Sequence, residues 1–385
     1  MKYIFKKKIY IFLFSIIDFI GKIFFAPFKV FSKKGPGNVG NILVVRLDHI
    51  GDVISSLPVL ENLKKHYIGA KITLLVGSWV RPVVMNNPFV DEVICYDAPW
   101  FDRHKRGFFS YFGFIKLAFG LQKHHYDLGF DLRGDFRNIA LMWLGGVKFR
   151  VGYGITGGNF LLNLCQFYKF AEHTTELSLG LLNSLGIKIV TNKPKIYLSK
   201  EDKGVVDNFF KSECFNDNQV KIILHPYAGY SSKNWLDERY IELISRLEAE
   251  LKAQVIVVGS FADKEKVDFL IKGSLSAVNS CGLIPVQGLA ELINKAALFI
   301  GVDSGPSHIA AATDIPCLLL YSGTNVAAQW APKRENIKVI QKDIPCKDCG
   351  KVDCESNICM DLISVDDVME EVRELIAGEG LRKKD

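Results

Sequence analysis

Four polar segments of the sequence combine residue types that could transfer a proton or bind a phosphate. The first, Asp-His-Ile-Gly-Asp at positions 48–52, follows a buried-strand pattern and enters a helical one. A carboxylate at that junction, Asp52, could accept a proton from a substrate hydroxyl, and Gly51 would permit close approach of the substrate. Asp48 and His49 are further candidates for the same role. The alternative is that Asp52 only caps the helix.

The second segment, Asp-Ser-Gly-Pro-Ser-His at positions 303–308, also joins a strand to a helix. Ser304 and Gly305 would present backbone N–H groups at a helix N-terminus, where a phosphate is favoured. Asp303 stands directly before them, and His308 in the first helical turn could contact the same ligand. An ordinary strand-to-helix turn would accept the same residues.

The third segment, positions 225–235, is a loop rich in small and hydroxyl-bearing residues after another strand. Ser231 and Ser232 could line a pyrophosphate site, with Lys233 as its positive charge. A plain surface loop with a solvated lysine is the alternative.

The fourth segment, positions 259–263, follows a strand as well. Asp263 could bind ribose hydroxyls, or it could equally cap a helix. The first strand is not followed by G-x-G-x-x-G, which disfavours an NAD-dependent oxidoreductase.

The elements that must position these segments alternate between strands and helices. This alternation predicts parallel sheets covered on both faces, in two doubly wound α/β halves joined near residues 192–202. Ligands in such sheets bind at the carboxyl ends of strands, so we expect a deep cleft between the halves. The predicted strands are 41–47, 72–76, 92–96, 128–132, 220–225, 254–259, 298–302 and 317–321, and the predicted helices include 237–251, 289–297, 306–313 and 364–377.

Charge is concentrated at the N-terminus. The chain of 385 residues has a formal net charge of +6, whereas residues 1–34 contain eight lysines and one acidic residue, Asp18. The remaining chain is therefore close to neutral, which argues against a nucleic-acid-binding protein.

The N-terminal segment 9–30 is apolar but interrupted by one polar stripe, formed by Lys8, Ser15, Asp18, Lys22 and Lys29. These charges disfavour a cleaved signal peptide. A spanning helix has enough length, but charges at mid-bilayer are costly. We favour an amphipathic helix in the membrane interface, with Asp18 and Lys22 paired and residues 33–37 as a linker. A helix packed on the protein's own core is the remaining alternative.

Four of the nine cysteines, Cys346, Cys349, Cys354 and Cys359, are clustered with ligand-like spacing. They could hold a structural zinc, or they could be reduced and unliganded. The other five, Cys214 among them, are scattered and favour a reducing compartment.

Taken together, the four segments resemble glycosyltransferase family 9, the ADP-heptose:lipopolysaccharide heptosyltransferases, over residues 41–370. The resemblance rests on Ile-Leu-Val-Val-Arg at 42–46 with Gly51-Asp52, Asn-Pro-Phe-Val-Asp at 87–91, Lys233–Trp235, Gly301–Ala311 and Trp-Ala-Pro at 330–332. It implies a GT-B fold, in which two Rossmann-like domains face each other across a cleft. It also implies that Asp52 is the catalytic base, that Lys233 binds phosphate, and that Ser304, Gly305 and His308, with Asp303 beside them, form the donor site.

Two features of the donor site depart from the family pattern. Asp263 stands where the family usually has a ribose-binding Glu, and Ser231 and Ser232 stand where two Thr are common. Both departures lie in the donor site, so they bear on whether the donor sugar is a heptose.

The implied domains are a basic membrane-associating segment and linker (1–37), an acceptor domain (38–195) and a nucleotide-sugar domain (196–385) containing the Cys-rich segment 346–359. Arg133 and Arg137 could bind acceptor phosphates, or they could be solvated surface arginines.

The function expected from this resemblance is an inverting, metal-independent transfer of a heptose or related sugar. The donor would be a nucleoside diphosphate sugar, ADP-linked in the family, and the acceptor a lipopolysaccharide core or other lipid-linked glycan. No cofactor is expected to be required, and a structural zinc is only one of the two alternatives for the cysteine cluster. The expected location is the cytoplasm, peripheral on the inner face of the membrane through residues 1–34. The alternatives are a membrane-tethered nucleotide-binding protein without catalysis and a family 9 transferase with a different donor sugar.

Overall fold

The computed structural model describes residues 3–4, 7–30, 35–101, 112–213, 215–216 and 219–378. The chain forms two compact units, Met1–Pro194 (unit 1) and Lys195–Asp385 (unit 2). Several residues of the sequence predictions lie outside the described part of the chain, namely Lys2, Lys6, Lys33, Lys34 and Cys214.

Unit 1 is built on a six-stranded parallel sheet in the order β3-β2-β1-β4-β5-β6. Its strands are β1 (Asn41–Val45), β2 (Lys71–Val76), β3 (Glu92–Cys95), β4 (Leu128–Asp131), β5 (Phe149–Tyr153) and β6 (Leu164–Gln166). Its helices are α1 (Lys8–Val30), α2 (Ile50–His66), α3 (Arg81–Val84), α4 (Phe112–Gln122), α5 (Phe136–Leu144) and α6 (Thr174–Asn183).

Unit 2 repeats this plan with the strand order β12-β11-β10-β7-β8-β9. Its strands are β7 (Lys221–His225), β8 (Gln254–Val257), β9 (Val278–Asn279), β10 (Leu298–Val302), β11 (Cys317–Leu320) and β12 (Ile337–Ile340). Its helices are α7 (Lys200–Ser212), α8 (Asp237–Leu251), α9 (Lys264–Leu270), α10 (Leu289–Asn294), α11 (Gly305–Ala311), α12 (Ala327–Trp330), α13 (Ile358–Asp361) and α14 (Val365–Gly378).

The central strands form the core of each unit. Residues 42–45 of β1 and all of β10 are buried, because helices cover both faces of each sheet. Continuous apolar runs suit this environment better than alternating ones. The predicted α/β class with two doubly wound sheets is therefore confirmed.

The strand order reverses direction once in each sheet, between β1 and β4 in unit 1 and between β7 and β10 in unit 2. Ligands of doubly wound sheets bind outside the carboxyl ends of the strands at such a switch point. In unit 1, Val45 of β1 pairs in register with Asp131 of β4. In unit 2, Gly301 of β10 pairs with His225 of β7. The loops that follow β1 and β4 are therefore neighbours in unit 1, and those that follow β7 and β10 are neighbours in unit 2.

Helix α1 packs against the rest of unit 1 along one narrow seam, and most of its remaining surface is exposed. Asp18 is only 2% exposed. Its carboxylate accepts hydrogen bonds from the Gly158 backbone N–H at 2.7 Å and from the Tyr3 hydroxyl at 2.8 Å. The seam consists of the buried or half-buried residues Ile11, Phe14, Asp18, Gly21 and Phe25.

The predicted Asp18–Lys22 ion pair is wrong for the described residues, because both oxygens of Asp18 are engaged elsewhere and Lys22 is exposed. Among the described helices, α1 is long and apolar enough, over Lys8–Pro27, to cross a membrane.

A single methyl group should disturb the loop that follows β4. Gly134 has φ of +81°, and a Cβ added there would lie 2.8 Å from the Tyr153 carbonyl oxygen. Gly134→Ala should lower the free energy of unfolding by about 2–4 kcal/mol, through backbone strain and overpacking. Thermal unfolding measures the change.

Gly186 is the matched control, because its φ is +75° but an added Cβ meets no atom within 4 Å. Gly186→Ala should cost only the conformational strain, about 1 kcal/mol. Equal melting temperatures for the two variants would contradict the close packing inferred at Gly134.

Candidate functional site

Two arginines and two aspartates form a cluster at the switch point of unit 1. Arg46 directly follows β1, and its guanidinium lies 3.5 Å from the Asp52 carboxylate and 3.8 Å from the Asp48 carboxylate. Arg133, after β4, lies 2.5 Å from the other oxygen of Asp48. The structure thus brings Asp48 and Asp52, predicted from one segment, together with Arg133, predicted from another, in one network with Arg46.

Asp52 does not cap α2, which removes the alternative raised by its position in the sequence. His49 is the N-cap residue, without a side-chain capping bond, and Asp52 lies in the first helical turn. Burial and the neighbouring Asp48 carboxylate raise the pKa of Asp52 from 3.8 to about 7, against the opposing charge of Arg46. A carboxylate with this pKa is suited to accept a proton near neutral pH.

Arg133 and Arg137 are half-exposed but held in place. Arg137 pairs with Asp135 at 2.6 Å, and its guanidinium lies 4.3 Å from the centre of the Trp100 ring. The Arg133 guanidinium lies 4.5 Å from the Phe101 ring. They are therefore not freely solvated surface arginines. Because the aromatic rings contact only the faces of the guanidinium groups, N–H donors at their edges are available to an anion.

Sequence reasoning assigned no role to Arg46, Asp131 or Asp135. Asp131 is fully buried at the end of β4, where it accepts hydrogen bonds from Asn138 Nδ2 at 3.0 Å and from the Asp135 backbone N–H at 2.9 Å. Burial raises the pKa of Asp131 to about 7. This residue fixes the loop that carries Arg133. Its signal in the sequence is an acidic residue that ends an otherwise apolar strand.

In unit 2 the predicted Lys233 and Asp303 form an ion pair at 2.6 Å. Their side chains are 14% and 7% exposed, so Lys233 is not the solvated lysine of a plain surface loop. Asn325, after β11, donates to Asp303 at 2.8 Å. A lysine ammonium has three N–H donors, so Lys233 can contact a phosphate oxygen while it remains paired with Asp303.

Ser304, His225 and His308 lie at the carboxyl ends of β7 and β10. The Ser304 hydroxyl lies 3.2 Å from His225 Nδ1 and donates to the Val302 carbonyl at 3.1 Å. Burial lowers the pKa of His225 to about 4, so its imidazole is neutral at pH 7. Gly305 is the first residue of α11, and His308 is buried within the same short helix.

Ser231 and Ser232 contact the Cys-rich segment. Ser232 is fully buried, and its hydroxyl donates to the Lys351 carbonyl at 2.7 Å. The Ser231 hydroxyl donates to the Asp353 carboxylate. Both hydroxyls therefore brace the loop that carries Lys233, and their predicted role as phosphate ligands stays a prediction.

Asp263 serves as a cap in this structure. Its carboxylate accepts hydrogen bonds from the Ser260 backbone N–H at 2.9 Å and the Ser260 hydroxyl at 2.6 Å. Both alternatives raised for this residue remain compatible with its place, because β8, which precedes it, neighbours β7. The second oxygen of the carboxylate could still meet a ribose hydroxyl.

The four clustered cysteines do not form a ligand cage. Across the described ranges, which include all of 346–359, no three His, Cys, Asp or Glu side chains come together as a metal site. The four thiols differ in burial: Cys346 is exposed, Cys349 and Cys354 are half-buried, and Cys359 is buried. The predicted structural zinc therefore has no support from this geometry and stays a prediction.

Comparison with known proteins places these residues in a family. The family model described as glycosyltransferase family 9 (heptosyltransferase) matches residues 114–358, well over half of the chain. The chain belongs to glycosyltransferase family 9. The family resemblance and the transferase class expected from the sequence are thereby confirmed.

Relatives of this glycosyltransferase cover most of its length. Lipopolysaccharide heptosyltransferase 3 of Escherichia coli is 26% identical over 74% of this chain and 83% of its own. The structure of a family 9 glycosyltransferase from Veillonella parvula has a TM-score of 0.77 at 22% identity, covering 88% of this chain and 98% of that one. Escherichia coli heptosyltransferase WaaC with ADP-2-deoxy-2-fluoro heptose has a TM-score of 0.67 at 20% identity, covering 87% and 99%. These likenesses confirm the GT-B fold.

The pKa of Asp52 predicts the pH dependence of this glycosyltransferase. A base must be deprotonated, so kcat/KM should rise about tenfold per pH unit below pH 7 and level off above it. Asp48→Asn removes the negative charge that disfavours ionisation of Asp52, so the acidic limb should move to lower pH. Initial rates of nucleoside diphosphate release between pH 5 and pH 9 measure both effects.

Glu61→Gln is the control for that profile, because Glu61 lies on the same helix as Asp52 but pairs with Lys65 at the surface. Its profile should match that of the wild type. If the acidic limb of the Asp48→Asn profile stays in place or moves to higher pH, the Asp48 carboxylate does not raise the pKa of Asp52.

Removing the charge of Lys233 should weaken nucleotide binding. Charge-assisted hydrogen bonds contribute about 1.5–3 kcal/mol, so Lys233→Met should raise the Kd for ADP roughly 10- to 100-fold. Part of this loss reflects the Asp303 carboxylate left unpaired beside the phosphate. The double variant Lys233→Met, Asp303→Asn should therefore bind ADP more tightly than Lys233→Met alone.

Isothermal titration calorimetry measures these Kd values. Lys342→Met is the matched control, since Lys342 also pairs with an aspartate, Asp367 at 2.9 Å. Lys342 follows β12, and Asp367 lies in the first turn of α14. An ADP affinity that is equal in Lys233→Met and Lys342→Met would remove Lys233 from the nucleotide site.

Proposed function

We propose that this glycosyltransferase transfers a heptose from ADP-heptose to a hydroxyl of a lipopolysaccharide core or another lipid-linked glycan, with inversion at the anomeric carbon. The observation that carries the proposal is the cluster of the buried Asp48 and the half-buried Asp52 with Arg46 and Arg133 at the unit 1 switch point. The names of the relatives, which include a lipopolysaccharide heptosyltransferase and an enzyme crystallised with an ADP-heptose analogue, support the donor and the acceptor.

The reaction follows from the chemistry of these residues. Asp52 takes the proton of the acceptor hydroxyl while its oxygen forms a bond to the anomeric carbon of the donor. The bond from that carbon to the diphosphate oxygen breaks in the same displacement, and ADP leaves with the electron pair. A single displacement inverts the anomeric centre. Asp52 must lose its proton to solvent before the next cycle.

The leaving diphosphate gains negative charge, and unit 2 supplies the groups that stabilise it. Lys233 provides a cationic N–H donor, and the backbone N–H groups at Ser304 and Gly305 add oriented dipoles. Asp263 is proposed to bind the ribose, and His308 to contact the donor sugar. With these groups in place, the proposal requires no divalent metal.

The acceptor side of the proposal uses Arg133 and Arg137. Arg133 pairs with Asp48, the neighbour of the proposed base, and Arg137 shares Asp135 with Arg133. Planar forks of this kind suit phosphates or acidic sugars on a lipid-linked glycan. We further propose that the enzyme acts in the cytoplasm, at the inner face of the membrane, which it contacts through residues 1–34.

Release of nucleoside diphosphate tests the proposal. Purified enzyme is given a panel of sugar nucleotides, including ADP-heptose, with lipopolysaccharide core acceptors in excess EDTA. ADP-heptose should give acceptor-dependent ADP release, and Asp52→Asn should lower kcat at least 100-fold, which is the usual contribution of a general base. Asp52→Asn should keep its affinity for ADP, because the nucleotide groups lie in unit 2.

Two outcomes would contradict parts of this proposal. Release with another sugar nucleotide but not with ADP-heptose would keep the transferase and replace the donor. Binding of ADP without turnover of any donor would favour a nucleotide-binding protein without catalysis.

A further inference from the structure

The outer surface of α1 is apolar although the helix is docked on a folded unit. Ten large apolar side chains of this helix are at least 40% exposed, and Phe24 reaches 75%. The ten are Ile9, Tyr10, Phe12, Leu13, Ile16, Ile17, Phe19, Ile20, Ile23 and Phe24. A contiguous apolar patch of this kind marks an interaction surface, since isolated exposed side chains are ordinary but large patches are not.

The seam below this surface holds the helix along its length. The ring of Phe14 packs edge-on against Phe136 at 5.6 Å, and that of Phe25 lies 5.6 Å from Trp143. Between them, Asp18 accepts the Gly158 N–H. A helix held at both ends in this way cannot cross a bilayer unless unit 1 enters the hydrocarbon with it or these contacts break.

A second exposed apolar row lies on α4, which α5 links to α1. Phe112, Ile115 and Phe119 of α4 are 63%, 46% and 63% exposed, and their spacing of three and four residues places them on one helix face. Helix α4 is joined to α5 by the bond from Gln122 Nε2 to the Leu144 carbonyl at 2.8 Å. The neighbouring Trp143 of α5 is 41% exposed and contacts α1 through Phe25.

The charges on this surface identify its occupant. Lys8 and Lys22 are exposed on α1 and Lys7 is exposed directly before it, whereas the only acidic residue of positions 1–34, Asp18, is buried in the seam. Apolar side chains bordered by cations, with no exposed acid between them, match an anionic lipid leaflet. A protein partner would have to be equally apolar and carry a separate acidic rim.

We infer that the outer face of α1, Trp143 and the exposed row of α4 form one membrane-binding surface, the α1–α4 apolar surface. It lies in the plane of an anionic bilayer while α1 stays docked on unit 1. The part of this inference that concerns the acceptor rests on the proposed function. The part that concerns membrane binding does not depend on the proposed function.

The α1–α4 apolar surface also borders the candidate acceptor site. Phe114 of α4 lies 6.2 Å from the ring of Trp100, on which Arg137 stacks at 4.3 Å. Arg137 shares Asp135 with Arg133, the partner of Asp48. A unit 1 seated on this surface therefore holds its two arginines beside the lipid headgroups, so that a lipid-linked acceptor reaches Asp52 with its lipid still in the bilayer.

Flotation of the full-length protein with vesicles tests the surface. Vesicles of phosphatidylethanolamine with phosphatidylglycerol should carry the wild type, and vesicles of phosphatidylcholine alone should carry at least fivefold less. Phe19→Asp with Phe24→Asp should lower binding at least tenfold, and Ile115→Asp with Phe119→Asp at least threefold. Wild-type binding by the α4 variant would remove α4 from the surface and overturn the inference.

Ile68→Asp and Leu275→Asp are matched controls, because these side chains are 92% and 94% exposed and lie outside the surface. They should float as the wild type does. A loss of binding equal to that of the α4 variant would show a general response to added negative charge and overturn the assignment. Circular dichroism and the melting temperature of each variant establish that it is folded.

Extraction at alkaline pH distinguishes the two membrane modes. An in-plane helix should be released from cell membranes by carbonate at pH 11, and a spanning helix should stay. Retention in the membrane pellet would overturn the in-plane geometry.

Turnover of a delipidated acceptor separates this inference from the proposed function. The α4 variant should lose at least threefold in kcat/KM on vesicle-borne acceptor and nothing on the delipidated one. Equal losses on both acceptors would overturn the link between the surface and the acceptor. If no acceptor is turned over by any form, the proposed function fails, while the vesicle-binding pattern still decides the surface.

Discussion

The parallel arrangement of the strands is the constraint on which both candidate sites depend. Every strand of a parallel sheet ends at the same edge, so residues far apart in the chain meet there once the order reverses. In unit 1 this brings the residues after β1 to those after β4, about 85 positions later, and in unit 2 it does the same for β7 and β10. The side chains at these edges are charged or polar, whereas the strands that lead to them are almost entirely apolar.

Burial at this edge makes the charges chemically useful. The unit 1 cluster has two arginines close to two aspartates. The charge of Arg46 favours the ionised form of Asp52, while burial and the Asp48 carboxylate oppose it. Buried charges are tolerated only when they are paired, and removing one partner leaves the other at high cost. The balance of these effects raises the pKa of Asp52 to about 7. The side chain of Arg133 stays partly exposed. In unit 2 the same principle orders Lys233 through Asp303.

The sequence was sufficient where apolar runs are long and their ends are marked. The helix Asp237–Leu251 and the strand Leu298–Val302 have the predicted boundaries. Strands β5, β6, β9 and β12 were missed, because β6 and β9 have only three and two residues and the other two contain arginine or lysine among few apolar residues. Local pattern cannot identify such strands, since pairing with a neighbour is what makes them strands.

Side-chain partners were harder to predict than elements. Asp52, Lys233, Asp303 and Ser304 could be singled out as candidates, because each stands at the end of a recognisable strand or in the loop that follows one. The partner of Asp18 could not be predicted, because the hydrogen-bond donor is the backbone N–H of Gly158, 140 positions away. The bracing role of Ser231 and Ser232 was missed for the same reason: their acceptors lie in a segment about 120 positions later.

That last contact has a consequence for how the protein is made. The loop carrying Lys233 is held by carbonyl groups of Lys351 and Val352, and the adjacent Trp235 indole donates to Ile363 at 2.9 Å. A chain emerging from the ribosome folds its N-terminal parts first, so unit 1 can be complete while this loop still has no support. Unit 2 is therefore finished only when its last helices have been translated. A ribosome that stops before residue 351 releases a chain with a complete Asp52 cluster but an unsupported Lys233.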